Sequence, residues 1–550
     1  MTSNNLFFNG QIGEPEEFIE IFKTLFSSRS IRDSAPSRVA SETDIAQLVN
    51  EFETKPQHRA SNDDFSFQNF MTEFAQIYEK AGLSFNPHSY FAHMLSDPTK
   101  IGVVANLIGA LMTGNQVCRE VSPIENHLEQ RVGQYVKNML GYDQKEAISF
   151  ITAGGTDANI LALLTGRNVS YLEKEGVNLK KIGFPEMFSP HSDVYEKANL
   201  RIPKLIVPAS FHYSWDKTAN AIGIGENHLV KIRSTSEFRM DLDELQVQLD
   251  SLDRTKEKPM GVVFVLGSTE IGAVDDIAKG MELVRKYEKE TGERIWLHLD
   301  AAYGGPSVLT KKYAHLKKVV KEFDSVTFDP HKLFWVPYNA GSITFKNRDD
   351  LQTVSTDASY INNDLSNIEE FKKNLETHLG GVKLIGSQST AGVISTYLTC
   401  VAFGLAGIGE TIETTFENAN YFASQLQSVR LSEGRIEVMN PEPDLNLVNF
   451  RFVPEKFKHV SKKDYFGGDV SSDNSDEIKS LNVQIEKYFS ESDSGFIVSS
   501  AGLATNGEKD TQIYAIRTCL MHPDTTRQDI DRFVGELCTY IESDLIRGDC

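Results

Sequence analysis

The sequence has few cysteines, and their spacing suggests neither a disulfide framework nor a metal site. Its 550 residues include five cysteines, which lie far apart and form no Cys-x-x-Cys pair. Small domains stabilised by disulfides or zinc need closely spaced pairs of this kind. We therefore expect a protein of a reducing compartment that has no disulfide framework and binds no metal.

Long apolar runs are also absent, as is a leader-like first segment. No run of about 18 apolar residues occurs, and no basic segment followed by an apolar one opens the chain. The chain is strongly acidic, with 56 Lys and Arg against 77 Asp and Glu and a net charge of −21. An acidic chain repels nucleic acid and anionic membranes. We expect a cytoplasmic protein that binds neither.

The chain is too long for one hydrophobic core, so we expect two or three domains. Residues 1–120 are predicted to form a polar, mainly helical arm used in dimerisation. Residues 121–395 are predicted to form a large α/β domain, because continuous apolar runs alternate there with helical segments. Residues 396–550 are predicted to form a smaller α+β domain, with a Gly/Ser/Asp-rich loop at 466–480. The strands predicted in the large domain are 147–151, 204–207, 261–266, 294–299 and 325–328.

The first segment that could bind a ligand is the run 152–159 (TAGGTDAN), between a predicted strand and a helix. Glycines let the backbone approach a ligand closely, and a helix N-terminus favours a phosphate. Gly155 and Thr156 are therefore candidate phosphate ligands. A Gly-Gly-Thr turn that simply caps a helix is the commoner case, so this run alone decides little.

A carboxylate and a lysine follow at the ends of two later predicted strands. Asp300 lies in the run 298–305 (HLDAAYGG), where a buried carboxylate needs a cationic partner such as a protonated pyridine nitrogen. The small Ala302 leaves room for a flat ring. Lys332 ends the run 329–332 (DPHK), and a partly buried amine of this kind condenses with an aldehyde. The alternative for Asp300 is an aspartate that only caps the next turn, and the alternative for Lys332 is a solvated surface lysine.

The fourth segment, 210–215 (SFHYSW), places His212 just after a predicted strand. A flat imidazole can stack on an aromatic cofactor ring and contact the substrate. A lone histidine at such a place is more often structural, so His212 gains weight from the other three segments. Together the four segments indicate a site for a phosphorylated pyridine cofactor.

This set of segments resembles the group II decarboxylases, which act on amino acids with pyridoxal 5′-phosphate (PLP), from about residue 86 to the C-terminus. The resemblance implies the type I (aspartate aminotransferase-like) fold, an α/β fold with a mainly parallel central sheet and a smaller α+β C-terminal domain. It implies that His212 stacks on the PLP ring, Asp300 pairs with its pyridinium and Lys332 forms the Schiff base. The further cofactor contacts that it implies are Gly155, Thr156, Ser268, Ala302, Asp329 and His331.

A decarboxylase also needs an acid that protonates Cα after carbon dioxide leaves. The run 336–341 (VPYNAG) resembles that of bacterial tyrosine decarboxylases and some aspartate decarboxylases, in which this tyrosine is essential. The resemblance assigns the acid to Tyr338, with Tyr360 as the reserve candidate and a packing aromatic as the structural alternative. His93 and Ser499 match residues near the substrate in the tyrosine enzymes, although a plain helix histidine explains His93 almost as well.

The motifs favour decarboxylation of tyrosine or another aromatic L-amino acid to its amine and carbon dioxide. One alternative is an aspartate or glutamate decarboxylase that makes β-alanine or γ-aminobutyrate. Another is a PLP-binding protein without decarboxylase activity, and a different PLP reaction such as transamination is a minor one. Arg517 could bind a substrate carboxylate or form a structural ion pair. Active sites of the family lie between subunits, so we expect a homodimer.

Overall fold

A computed structural model describes most of the chain, and two candidate site residues fall outside it. His212 and Tyr360 lie outside the described residues, so their expected roles stay predictions. The described residues are 40–58, 66–83, 85–194, 200–210, 214–356, 368–467, 472–491, 494–503 and 512–545.

In the described part of the chain, four helices precede the first strand. Three of them begin at a Ser or Thr whose hydroxyl accepts a free backbone N–H of the first turn. The predicted helical character of the N-terminal arm is thus present where it is described, while its part in dimerisation stays a prediction. The four helices are α1 (Glu42–Glu53), α2 (Phe67–Ala81), α3 (Lys100–Met112) and α4 (Pro123–Leu140).

The large domain is built on a seven-stranded, mainly parallel sheet, which confirms the predicted fold class. Its strands are β1 (Ile148–Thr152), β2 (Ile202–Pro208), β3 (Leu229–Ile232), β4 (Glu257–Val265), β5 (Trp296–Asp300), β6 (Ser325–Phe328) and β7 (Gly341–Phe345). They lie in the order β1-β7-β6-β5-β4-β2-β3. Neighbours from β6 to β3 are parallel, whereas β7 runs antiparallel to both β1 and β6.

Helices cover both faces of this sheet, so its strands are buried on both sides. Along β5 the side chains alternate: Leu297 and Leu299 enter the core on one face, and Trp296 enters the core on the other. This burial explains why the strands read as continuous apolar runs. The helices are α5 (Gly155–Glu175), α6 (Leu179–Met187), α7 (Ser214–Ala221), α8 (Leu242–Ser251), α9 (Ile277–Thr291), α10 (Lys317–Val320) and α11 (Ile368–Leu375).

The C-terminal part forms the predicted smaller α+β unit around a four-stranded antiparallel sheet. The sheet order is β10-β11-β9-β8, from strands β8 (Gly434–Val438), β9 (Leu447–Pro454), β10 (Ser499–Leu503) and β11 (Ile513–Cys519). The helices are α12 (Ala391–Ser428), α13 (Lys462–Gly467), α14 (Ser472–Glu491) and α15 (Arg527–Tyr540). Because α12 spans the predicted boundary at 395/396, the three-part division of the chain remains our proposal.

The loop predicted at 466–480 is wrong wherever the structure describes it, because its first two residues end α13 and residues from Ser472 onward belong to α14. Its Ser and Asp content favours a loop, but apolar side chains recur along one face at helical spacing. Ile478 packs in one core cluster of the small domain, and Ile485 and Phe489 pack in another. Tertiary burial of this face overrides the local composition.

The long helix α12 is apolar for most of its length. It is the one helix in the described ranges that is long and apolar enough to cross a membrane, but half of its apolar window is buried in the protein. It packs against α3 and α4, and its helical geometry is broken at Gly404, where φ is 62°. Such burial is typical of a core helix.

A segment before the large domain pairs with the small one. The backbone N–H of Phe91 donates to the carbonyl of Ile497 at 2.9 Å, and the N–H of Ile497 donates to the carbonyl of Ser89 at 2.9 Å. The N–H of Cys519 donates to the carbonyl of Phe91 at 2.8 Å. Residues 89–91 therefore lie against the small domain, and they lead directly into His93.

Candidate active site

A cavity of about 480 Å³ opens where the carboxyl ends of β2, β4, β5 and β6 meet. β1 points in the same direction, because both β1 and β6 are antiparallel to β7. A crevice at this edge is the usual ligand site of an open α/β sheet. The cavity brings together nine of the residues predicted from the sequence: Gly155, Thr156, Ser268, Asp300, Ala302, Asp329, His331, Lys332 and Tyr338.

The N-terminus of α5 forms a cradle at one end of the cavity. A Cβ atom on Gly155 would lie 2.9 Å from Asp329 Oδ2 and 3.3 Å from Ala302 Cβ, so a side chain there would fill the cradle. Gly341 packs equally closely, since its Cβ would lie 2.4 Å from the Cα atom of Gly154. Backbone N–H groups at the start of a helix of this length suit a phosphate group.

The amine of Lys332 lies in the cavity and is held by a carboxylate. Its Nζ is 3.2 Å from Asp329 Oδ2, and 20% of its side chain is exposed. The turn that carries it is fixed because Phe334 packs edge-on against Phe328, with ring centroids 4.8 Å apart. The Oδ1 atom of Asp329 is buried and has no hydrogen-bond partner among the described residues, so it has acceptor capacity for a ligand.

His331 connects this carboxylate to Tyr338. Its Nδ1 accepts the backbone N–H of Ala340 at 3.2 Å, so the ring proton is on Nε2, which lies 3.4 Å from Asp329 Oδ2. Burial lowers the pKa of His331, which keeps the ring neutral at physiological pH. The ring stacks on Tyr338, with centroids 3.9 Å apart.

Asp300 ends β5 as a buried carboxylate. Its Oδ1 accepts the N–H of Ala302 at 3.1 Å, and its Oδ2 accepts the amide Nδ2 of Asn159 at 3.2 Å. Burial raises the pKa of Asp300, and the positive charge of Lys332 opposes that rise. A carboxylate in this position is stabilised by a cation such as a pyridinium. Asn159 received no role from the sequence, although its place one helical turn after Gly155 was an available signal.

A second chamber of about 450 Å³ adjoins the first and shares Thr269, Lys332 and Tyr338 with it. The predicted substrate residue His93 lies there, and its pKa is lowered by burial and by Arg517. Ser499 is placed differently from our expectation. Its hydroxyl lies 3.1 Å from the carbonyl of Ala92 and is buried. The chamber is lined by His93, Met94, Leu95, Thr269, Glu270, Lys332, Ser500, Ala501, Arg517 and Tyr338.

Arg517 uses its guanidinium as a structural clamp in the wall of this chamber. Its Nε donates to the carbonyl of Thr269 at 2.9 Å, and its Nη1 donates to the carbonyl of Ala92 at 3.1 Å. The same Nη1 lies 3.3 Å from Ser499 Oγ. Within the described residues it makes no ion pair, so the expected structural ion pair is absent and hydrogen bonds to uncharged oxygens hold the guanidinium instead.

Glu270 is a charged wall residue that our sequence analysis missed. It follows β4, and its Oε2 accepts the hydroxyl of Ser210 at 3.1 Å. Burial raises the pKa of its carboxyl group, and the nearby Arg517 opposes that rise. Ser210 lines the first chamber, so the pair marks the junction of the two.

Residues 55–453 match the family model described as the pyridoxal-dependent decarboxylase conserved domain. The chain belongs to the pyridoxal-dependent decarboxylase family. The match covers the segments that carry Gly155, Asp300, Lys332 and Tyr338, and it confirms the predicted family, enzyme class and cofactor. The cradle, the buried carboxylate and the lysine of this decarboxylase fit PLP.

Individual relatives are named for different amino acids. L-tyrosine decarboxylase of Levilactobacillus brevis is 29% identical over 431 residues, and the alignment spans 66% of each chain, about two thirds of that relative's length. Aspartate 1-decarboxylase of Aliivibrio fischeri is 26% identical over 466 residues, 82% of this chain and 78% of the relative. The crystal structure of Oryza sativa TDC with PLP and tryptamine gives a TM-score of 0.75 at 15% identity. It covers 97% of this decarboxylase and 99% of that chain, which supports the fold.

Proposed function

We propose that this decarboxylase converts an aromatic L-amino acid, tyrosine before others, to its amine and carbon dioxide. The observation that carries the proposal is the position of Tyr338, which lines both chambers together with Lys332. A substrate bound beside Lys332 would extend its side chain into the second chamber and pass Tyr338. The similarity to L-tyrosine decarboxylases supports the choice of substrate.

The residues of the first chamber would hold the cofactor. Lys332 would carry it, the start of α5 with Gly155 and Thr156 would receive its phosphate, and Asp300 would pair with its ring nitrogen. When bound, PLP accepts the electron pair of the bond that is broken at the substrate carboxylate. The protein contributes orientation, because only a bond held perpendicular to the ring is broken easily. Ser268 and Ala302 line the space for the ring.

Tyr338 would deliver the proton to Cα. Burial raises the pKa of its phenol, and the negative charge of Asp329 adds to the rise, so the hydroxyl stays protonated at physiological pH. The residue is 51% exposed and lines both chambers, which leaves it accessible to a substrate. A general acid of this kind contributes roughly a hundredfold to ten-thousandfold in rate.

The wall of the second chamber favours a neutral side chain. Met94 and Leu95 supply apolar surface, and Glu270 adds a carboxyl group that would oppose an acidic substrate. Arg517 is the cation expected to attract such a substrate, but its Nε and Nη1 donors are engaged by protein oxygens. This balance supports an aromatic amino acid over aspartate or glutamate.

An acidic amino acid is the second candidate. The aspartate 1-decarboxylase among the relatives is aligned over a larger share of this chain than the tyrosine enzyme of L. brevis. The guanidinium of Arg517 also lines the second chamber, where it is buried. Under this alternative the products are β-alanine or γ-aminobutyrate.

We also propose that the protein is a cytoplasmic homodimer. Apolar side chains are exposed along α3, where Val104 is 50%, Ile108 is 41% and Met112 is 63% exposed. Further apolar residues are exposed on α12, which packs against α3, and on α4, which packs against α12. Patches of this kind mark protein interfaces. The helix also lies close to the active site, since α3 packs at Gly102 against Pro337, next to Tyr338.

One assay separates the candidate functions. Protein loaded with PLP is incubated with each standard amino acid, and carbon dioxide and amines are measured by mass spectrometry. Aromatic amines alone support the proposal, β-alanine or γ-aminobutyrate supports the second candidate, and no amine from any substrate contradicts both. The control is Lys332→Ala, which should abolish the visible absorption band of the lysine-linked cofactor together with product formation.

A further inference from the structure

Five buried side chains form a continuous row that ends on Asp300. Trp296, His298 and Asp300 occupy alternate positions of β5 and therefore share one face of the sheet. Ser325 lies directly opposite His298 in the neighbouring strand β6. Asn159 reaches the same face from α5. The row thus joins two strands and the helix whose first turn forms the phosphate cradle.

The two ends of this row set the direction of its hydrogen bonds, because the indole of Trp296 can only donate and the carboxylate of Asp300 can only accept. An indole N–H only donates, so Ser325 Oγ accepts from Trp296 Nε1 at 2.8 Å. Ser325 donates its own proton to His298 Nδ1 at 2.8 Å, because the carboxylate at the other end takes the amide nitrogen of Asn159 and so requires the ring proton of His298 on Nε2. That proton is donated to Asn159 Oδ1 at 3.1 Å, so the amide nitrogen of Asn159 faces Asp300 Oδ2 at 3.2 Å.

We propose that Trp296, Ser325, His298 and Asn159 form a positioning row for Asp300. The row holds the Asn159 amide in the one orientation that donates to the carboxylate, and thereby keeps Asp300 ionised and aimed at the ring nitrogen of PLP. This inference rests on the role of Asp300 in the proposed function. It assigns a task to four residues that do not themselves touch the reacting atoms.

The surroundings keep the row rigid and dry. Each of its side chains is at most 8% exposed. A Cβ atom on Gly166 would lie 2.4 Å from the ring of Trp296, so this glycine lets α5 pack directly on the indole. Trp215 packs edge-on against His298 with centroids 5.7 Å apart. Buried hydrogen bonds in series polarise one another, which strengthens the last bond, to Asp300.

The alternative is that the row only satisfies the hydrogen bonds of buried polar groups. A modified cofactor distinguishes this structural role from the positioning of Asp300. Ser325→Ala removes the hydroxyl that fixes the His298 tautomer, so the Asn159 amide is free to turn its carbonyl towards Asp300. We expect the variant to bind PLP about tenfold more weakly, as measured by absorbance titration. It should bind a 1-deaza analogue, in which C–H replaces the ring nitrogen, as tightly as the unaltered protein does.

Ser149→Ala is the matched control. Ser149 is a buried serine of the same sheet that accepts from Thr344 at 3.0 Å, outside the row. Its variant should bind both cofactors normally. Equal weakening of PLP and of the analogue by Ser325→Ala would overturn the inference, as would an equal loss of PLP affinity in Ser149→Ala.

A second variant covers the case in which Ser325→Ala does not fold. Asn159→Asp keeps an acceptor for His298 but turns an oxygen towards Asp300, so it should weaken PLP binding and spare the analogue. Absence of that difference would also overturn the inference. If the unaltered protein binds PLP and the analogue equally, the pairing of Asp300 with the ring nitrogen fails, and the proposed cofactor geometry fails with it.

Discussion

The phenol ring of Tyr338 stacks on the imidazole of His331, with centroids 3.9 Å apart and planes inclined by 27°. The same imidazole is fixed by the backbone N–H of Ala340 on one side and faces Asp329 on the other. The proposed acid is therefore held by a ring whose orientation is set by the turn that carries Lys332. The positions of the proposed proton donor, Tyr338, and of Lys332 therefore depend on the same turn.

Tyr338→Phe should separate cofactor binding from catalysis. Phenylalanine keeps the ring that stacks on His331 and removes only the hydroxyl, so PLP affinity should stay unchanged. Amine formation should fall by about a hundredfold or more, because the general acid is lost. Absorbance titration and amine assays measure the two quantities. Tyr421→Phe, at a partly buried tyrosine of the small domain whose hydroxyl donates to Asp531, is the control. Full activity in Tyr338→Phe would contradict the assignment.

Glu270→Gln should change which substrates are accepted. Glutamine keeps the shape and can still bond Ser210, but it removes the negative charge from the second chamber. We expect kcat/KM for aspartate and glutamate to rise relative to that for tyrosine by about tenfold, because like charges placed close together are costly. Competition between paired amino acids, followed by amine analysis, measures this ratio directly.

The control for this change is the removal of a glutamate charge elsewhere. Glu433 is exposed and lies on the small domain, so Glu433→Gln alters the net charge by the same amount without altering the chamber. Its substrate preference should match that of the unaltered protein. An unchanged preference in Glu270→Gln as well would show that this carboxyl group does not select the substrate.

His298→Gln should make the free energy of unfolding fall less steeply as the pH is lowered. Burial lowers the pKa of His298 to about 3, whereas a histidine in the unfolded chain titrates near its ordinary value of 6.5. Below pH 6.5, His298 is protonated in the unfolded chain but stays neutral in the folded chain. The stability that this group contributes is therefore present above pH 6.5 and is lost as pH falls towards 3. The loss amounts to about 2 kcal/mol between roughly pH 7 and pH 5.

Urea unfolding at several pH values, without added cofactor, measures this effect. Glutamine can still donate to Asn159 but does not titrate, so its free energy of unfolding should fall less steeply with acid. The difference between the two slopes isolates His298 from other histidines. Identical slopes for the two proteins would mean that His298 does not remain neutral in the fold.

Val104→Glu should weaken the proposed homodimer. Val104 is half exposed on α3, and burying two added carboxylates in an apolar interface should raise the dissociation constant about a hundredfold or more. Light scattering across a dilution series measures the change. Val247→Glu is the control, since Val247 is 58% exposed on α8, outside this face. A dimer unaffected by Val104→Glu would place the interface elsewhere. If the unaltered protein is a monomer at every concentration, the proposed homodimer is refuted.

Periodicity in the sequence predicted much of the large domain, but not the direction of its strands. All five predicted strands are present, because continuous apolar runs reflect burial on both faces. β3 and β7 were missed, since Lys231 interrupts the apolar run of β3, and β7 opens with a glycine and contains Ser342 and Thr344. Local pattern also cannot show that β7 runs antiparallel between β1 and β6. That placement depends on contacts between distant segments.

The two chambers differ in how far the sequence reveals them. Residues of the first chamber follow the ends of strands, so the topology of a parallel sheet brings them together. Residues of the second chamber, including His93, Glu270, Ser500 and Arg517, come from distant segments of both domains. Only tertiary packing shows that Ser500, and not Ser499, lines that chamber. Glu270 was missed for the same reason.

The pairing of residues 89–91 with the small domain affects how the chain can be divided. A fragment that begins at 396 would leave the backbone groups of Ile497 and Cys519 without the partners that Ser89 and Phe91 provide. The small domain therefore gains these hydrogen bonds only when a segment made about 400 residues earlier has returned to it. The C-terminal part is a unit of architecture whose backbone pairing is completed by an N-terminal segment.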